Sequence, residues 1–299
     1  MIISIDAGKH TTKAILGTAG EKRVFSVRAK LEEQGVIINK DGRTFAIEYE
    51  GKKYVLGEGA QITDYETCKT KICHKLSTYL SVAMLTGNDG NYDIVTGCPI
   101  SQFRNKELRS EYTEFIKNRN VQIRINSNGH RFGISTVMVL PESIGVVMEN
   151  VPEFIDGLVG VVDIGGLNTN AAIYEKLKPL PATIFTVNEG GEILNAKIRR
   201  ALNTALMTNY QDYEIPYLRL EGKIKPIVEE VLNAQMEIIL AQCKQYNWNL
   251  KAIPLVFTGG GSQILEKQIK QLDNAKISRN PVWDNVQGFL KLKEMYKNG

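Results

Sequence analysis

The chain has 299 residues, 43% hydrophobic and 23% charged, with 37 Lys and Arg against 33 Asp and Glu for a net charge of +4. This is an ordinary globular composition, long enough at roughly 100–200 residues per domain for two domains or one large α/β unit, and it excludes a small stapled scaffold. The longest apolar runs, such as 157–164 and 253–257, fall far short of the roughly 20 residues that span a bilayer, and Met1–Asp6 has no basic leader, so a cytoplasmic protein free of membrane is expected.

No block of five basic residues occurs, so direct nucleic-acid binding is not indicated. Four scattered cysteines (Cys68, Cys73, Cys98, Cys243) suit a reducing compartment better than a disulfide framework. Cys68 and Cys73 fall in a stretch of helical period beside His74. A metal site there is disfavoured, because adjacent helical residues point about 100° apart.

In chain order, short alternating runs at 2–5, 12–16, 24–27, 44–49 and 53–56 predict a meander of strands. Apolar positions at helical spacing then predict one long helix over Asp64–Leu85. A strand at 92–96, a helix at 106–117, a hairpin 121–125/131–134 turning at Asn128-Gly129, and a strand 137–140 ending in Pro141-Glu142-Ser143 follow. The second half repeats the opening: a buried strand 158–163 runs into Gly165-Gly166, then strands at 169–174 and 182–187 and helices at 191–207 and 226–246. A strand 253–258 leads to Gly259-Gly260-Gly261 and a helix beginning near Ser262, and a closing helix covers about 283–296. Two similar α/β halves flanking a cleft are the expected organisation.

Three glycine turns end strands: Asp6-Ala7-Gly8-Lys9, Asp163-Ile164-Gly165-Gly166 and Thr258-Gly259-Gly260-Gly261-Ser262. Glycine lets backbone amides converge on an anion, so such turns are natural phosphate cradles. Gly8-Lys9-His10-Thr11 lacks the earlier glycine of a P-loop, since position 3 is Ile3. Gly57-Glu58-Gly59 lacks the third glycine of a dinucleotide fingerprint. Asp6 and Asp163, one beside each of the first two turns, suit a magnesium ion held through its water shell. Each alone could simply start a turn, as Asp-x-Gly often does.

These blocks resemble the actin superfamily, which includes sugar kinases and chaperone ATPases, and within it the ParM-type plasmid-segregation actins. The blocks are 2–15 with Asp6, Gly8 and Lys13, then 140–144 with Pro141-Glu142-Ser143, 161–173, 258–262, and 280–290 with Asp284-Asn285 and Gly288. The resemblance implies a two-domain α/β, ribonuclease H-like fold around a nucleotide cleft, with 1–150 plus 283–299 as one domain and 151–282 as the other. It implies phosphate contacts from Gly8, Lys9, His10, Thr11 and Lys13 in the first loop and Gly165, Gly166, Leu167 and Asn168 in the second. Nucleoside contacts would come from Gly190, Gly191, Gly259, Gly260, Gly261 and Ser262, metal binding through water from Asp6 and Asp163, and water activation from Glu142.

Two positions depart from the family pattern. Lys9 replaces a small hydroxyl residue, leaving a phosphate or a solvent position open to it, and Asn168-Thr169-Asn170 shifts a hydroxyl and turns a carboxylate into an amide. The implied function is a Mg²⁺-dependent ATPase, with GTP as a second allowed substrate, that polymerises to segregate plasmid or phage DNA. The DNA would be touched by a bound adaptor of the ParR type. A small-molecule kinase on the same fold is the alternative. A chaperone ATPase is disfavoured because no stretch remains for a substrate-binding domain.

Overall fold

The computed structural model describes residues 1–18, 21–33, 43–60, 68–87 and 89–298. The chain divides into two compact units, Met1–Glu149 with Trp283–Gly299, and Asn150–Val282. The first unit opens with strands β1 (Ile2–Ala7), β2 (Thr11–Thr18), β3 (Glu21–Arg28), β4 (Leu31–Glu33), β5 (Thr44–Tyr49) and β6 (Lys52–Gly57). Helix α1 (Ile72–Thr86), strand β7 (Asn91–Cys98), helices α2 (Ile100–Arg104) and α3 (Lys106–Ile116), strands β8 (Val121–Ile125) and β9 (Asn128–Pro141), and helix α4 (Ile144–Glu149) follow.

The second unit holds α5 (Val151–Phe154), β10 (Leu158–Ile164), β11 (Thr169–Glu175), β12 (Lys178–Pro179), β13 (Phe185–Val187), α6 (Gly191–Leu206) and α7 (Ile224–Gln245). It ends with β14 (Leu255–Thr258), α8 (Gly260–Ile264), α9 (Glu266–Ile269) and β15 (Ala275–Ile277), and α10 (Asp284–Asn298) returns to the first unit.

In the first unit the order β3-β2-β1-β7-β9 places β1 centrally, antiparallel to β2 and parallel to β7. Its six residues are all buried, as expected of a strand covered on both faces. In the second unit β10 is likewise antiparallel to β11 and parallel to β14, with β15 beyond. The two halves therefore share one strand plan. Ile3, Ile5, Leu76, Leu80 and Ile94 fill the first core, and Val162, Leu202, Ile239, Phe257 and Ile269 the second.

Four elements differ from the sequence expectation. The hairpin turns at Asn126-Ser127, both at positive φ (47° and 73°), and Asn128-Gly129 lie in β9. Asn126 is pinned there by paired hydrogen bonds with the backbone of Ala46, each 2.9 Å, which outweigh the local Asn-Gly preference. The expected strands 131–134 and 137–140 form the single strand β9, bulged where Tyr92 and Asp93 face Ile134 and Thr136.

The first long helix starts at Ile72; positions 64–67 lie outside the described residues, and Cys68 precedes the helix rather than sharing a face with Cys73. Between 181 and 183 the chain makes a 3₁₀ turn opened by Pro181, with only Phe185–Val187 extended. The Thr183 hydroxyl accepts from the Ile173 amide there, replacing a strand ladder.

Candidate functional site

In the first unit, β1 delivers Asp6 to the turn that leads into β2. Gly8 donates its amide to the Asp6 carbonyl at 2.9 Å, and a Cβ on Gly8 would sit 2.7 Å from the Thr11 carbonyl oxygen, so the tight turn requires glycine. The register sets Lys13 opposite Asp6, and its Nζ lies 3.0 Å from Asp6 Oδ2. His10 Nδ1 accepts from Arg28 at 2.6 Å and lies 2.7 Å from the Thr11 hydroxyl. The Lys9 ammonium donates to the Cys68 carbonyl at 3.1 Å, which ties the turn to the segment ahead of α1.

Glu142 follows β9 directly, and its amide donates to the Cys98 carbonyl at the end of β7. Lys69, only 4% exposed, donates to the Ala7 carbonyl and lies 2.8 Å from Glu142 Oε1, joining the Asp6 turn to Glu142. Burial works against the Lys69 charge, but Glu142 first, then Tyr112 and Asp6, outweigh it and hold the ammonium above its ordinary range. Burial pushes the neighbouring Cys98 thiol up to about 12, so it is no nucleophile at neutral pH.

Ser143 adopts φ 80° and donates its amide to Asn285 at 3.2 Å. There α4 and α10 meet at glycines. A Cβ on Gly145 would lie 2.3 Å from Asn285 Cα, and one on Gly288 would lie 2.2 Å from the Gly145 carbonyl oxygen. Asn285 and Gly288 thus seat the turn that carries Glu142.

The second unit repeats the hairpin. Asp163 lies one residue before the end of β10, the Gly165 amide donates to the Asn168 carbonyl at 2.9 Å, and a Cβ on Gly165 would lie 3.1 Å from that oxygen. Asn170 occupies the place opposite Asp163 that Lys13 occupies opposite Asp6, and its side chain accepts from the Thr186 hydroxyl at 2.9 Å. Thr169 donates its hydroxyl to the Glu189 carbonyl at 2.6 Å.

The amides of Gly190, Gly191 and Glu192 donate to the carbonyls of Leu167, Gly165 and Gly166, so the start of α6 braces the turn from below. The three glycines after β14 do different work. Gly259, at φ 79°, lies against Asp163, where a Cβ would come within 2.5 Å of Oδ1, and Gly261 packs on Ile164, while a Cβ on Gly260 would meet nothing within 4 Å. Ser262 donates its hydroxyl back to the Gly259 carbonyl at 2.7 Å.

Residues 4–145 match the family model described as the N-terminal domain of actin-like proteins. Among solved structures the chain resembles the Alp12 filament structure, with 24% identity over 99% of this chain and 98% of that one and a TM-score of 0.71. It also resembles a 15-stranded ParM filament from Clostridium botulinum (16% identity, 98% and 99% covered, TM-score 0.79). The archaeal actin homolog Ta0583 in complex with ADP is a third (14% identity, 99% of each chain, TM-score 0.76). The chain has the fold of the actin-like proteins.

No curated protein matches it by sequence. Within each unit the actin-like fold gathers the residues its sequence pointed to: Asp6, Gly8, Lys13 and Glu142 in one, Asp163, Gly165, Gly166 and Gly259–Ser262 in the other. Sequence reasoning missed Lys69 and the bracing role of the α6 amides. Lys69 sits in a polar stretch with no motif around it, and only the tertiary structure brings it to Ala7 and Glu142. Among the described residues, no cluster of three or more His, Cys, Asp or Glu side chains could hold a metal directly, and no helix is long and apolar enough to cross a membrane.

Proposed function

We propose that this chain is a nucleotide hydrolase, taking ATP or GTP, whose assembly into filaments follows the nucleotide state and separates plasmid or phage DNA through a DNA-bound adaptor of the ParR type. The observation that carries the reading is the repeated hairpin. In each unit an aspartate lies next to the end of the inner strand, and a glycine hemmed in by a carbonyl oxygen turns the chain tightly, a kind of turn suited to holding phosphate. The filament structures of Alp12 and ParM, and the ADP complex of the archaeal homolog, support the same reading.

The residues suit a magnesium nucleotide. Asp6 and Asp163 are buried carboxylates beside tight glycine turns, appropriate to an ion that keeps its water shell. Bound magnesium would supply charge neutralisation along the phosphates. The Gly8–Lys13 and Gly165–Asn168 turns bind the phosphates, and Gly259–Ser262 binds the nucleoside through backbone, which leaves the purine open. Glu142 orients or deprotonates the attacking water, and Lys69 fixes one of its oxygens.

Sedimentation with ATP, GTP, ADP or no nucleotide, each with magnesium, tests the reading. Pelleting with a triphosphate and phosphate release are expected. A protein that stays in the supernatant throughout and phosphorylates a small molecule instead would replace this reading with a kinase.

A further inference from the structure

The first hairpin carries a side-chain clamp that no sequence motif announces. Pairing sets Asp6 opposite Lys13 and Thr11 opposite Arg28, and side chains alternate along a strand, so these four residues lie on one face of the sheet. Ala14 and Val27 take the opposite face and enter the core.

His10 stands immediately before β2, at the edge of the face that carries Asp6 and Lys13. Its carbonyl accepts from the Ala29 amide at 2.9 Å, so the backbone at the strand end is already closed. Arg28 adds a second hold through the side chain: its guanidinium donates to His10 Nδ1 at 2.6 Å, and the Thr11 hydroxyl lies 2.7 Å from the same nitrogen. The end of β3 thus grips His10 twice, once by its backbone and once by its ring.

The chemistry of the donor decides where the ring carries its hydrogen. A guanidinium has N–H donors and no acceptor, so Nδ1 offers Arg28 its lone pair and the hydrogen of the neutral imidazole sits on Nε2. A hydrogen on Nδ1 would be driven against the guanidinium. Because Nδ1 and Nε2 lie on different edges of one rigid ring, pinning the first also fixes the direction of the second.

We infer that Arg28 is a positioning residue, which holds His10 so that Nε2–H is presented to a phosphate oxygen of the nucleotide bound at the Gly8–Lys13 turn. The inference rests on the nucleotide reading above. Ionised phosphate oxygens accept hydrogen bonds, so the ring edge that bears the hydrogen attracts them and the lone-pair edge repels them. A ring oriented before the ligand arrives also loses little freedom on binding. Arg28 lies in β3, outside every block that carries the actin-like resemblance, so this device is written in the chain's own variable stretch.

A double-variant cycle tests the assignment, read as affinity for ATP with magnesium and controlled for folding by urea unfolding. Arg28→Met should weaken binding about tenfold, the scale of a hydrogen bond to a charged group. His10→Gln sets an amide N–H in place of Nε2–H and has no tautomer to choose, so it should bind within about twofold of the native chain, and R28M/H10Q should bind as H10Q does. An Arg28 that served the phosphates by its own charge would cost the same in both backgrounds. That result, or native affinity in Arg28→Met, overturns the inference alone. Independently of any variant, nitrogen NMR of the nucleotide-free protein should show His10 in its Nε2–H form, and a hydrogen on Nδ1 would overturn the inference as well. Native protein that binds no nucleotide overturns the nucleotide reading and the inference with it.

Discussion

Lys69 and Glu142 form a buried charge pair, and their fates are unequal. Removing a base that acts on water costs about 10²–10⁴ in rate, so Glu142→Ala should bind nucleotide and assemble while releasing phosphate that much more slowly. Native phosphate release from this variant would remove Glu142 from the chemistry. Lys69→Met should instead damage the fold, because it leaves Glu142 without its buried partner, a loss of about 3–5 kcal/mol in typical cases. Urea unfolding reads that loss directly, and an unchanged midpoint would show that the pair contributes nothing.

His74 behaves in the opposite sense. Burial first, then the positive charges of Lys69 and Lys9, hold its imidazole well below the ordinary range, and its two ring nitrogens are buried within α1. In the unfolded chain the ring takes up a proton near pH 6.5, which the folded chain resists. The neutral ring therefore contributes stability that is present above that pH and lost as the pH falls toward the depressed folded value. Between pH 7.5 and 5 the native chain should lose stability faster than His74→Leu, by up to about 1.4 kcal/mol per pH unit. Parallel urea profiles for the two would show that His74 plays no part in acid sensitivity.

At the scale of elements, glycine positions separate support from contact. Gly288→Ala would drive a methyl into the Gly145 carbonyl and part α10 from α4, with a loss of about 1–3 kcal/mol and a displaced Glu142 turn. Gly260→Ala meets open space at the start of α8, so it should keep or slightly raise stability while weakening nucleotide binding. Unaltered nucleotide affinity in Gly260→Ala, measured by titration, would remove the Gly259–Ser262 turn from the site.

The same distinction explains what the sequence could disclose. Asp6-x-Gly8 and Asp163-x-Gly165 were legible because strand, carboxylate and turn glycine are contiguous, so the local chain states the geometry. Pro141-Glu142-Ser143 was legible through its resemblance. The part of α10 in holding Glu142 was not, since it depends on Asn285 capturing the amide of Ser143 across 142 residues. Lys69 escaped for the same reason, and the Asn126-Ser127 turn because Ala46, far along the chain, decided the register.

For the molecule as a whole, the shared strand plan decides what faces each aspartate in the two hairpins. Asn170 faces Asp163 across the ladder, where an aspartate would set two carboxylates side by side, and Thr169 spends its hydroxyl on Glu189. The first hairpin answers the same need with Lys13. If both aspartates fix a hydrated magnesium ion, Asp6→Ala and Asp163→Ala should each shift magnesium-dependent assembly to higher metal concentration. A native magnesium requirement in both would show that neither carboxylate serves the metal.

Strand β9 is fourteen residues long and belongs to two neighbourhoods. Its beginning pairs with β8, beside β5 and β6, while its end runs along β7 and stops at Pro141, one residue before Glu142. At about 3.3 Å per residue it is a continuous rod of roughly 45 Å, interrupted only by the bulge at Ser135. A push on the outer strands has no slack loop in which to vanish: it is taken up at Ser135 or arrives at Glu142. If the chain assembles and hydrolyses nucleotide as proposed, a subunit gripped by its outer sheet would thus keep different time from a free one.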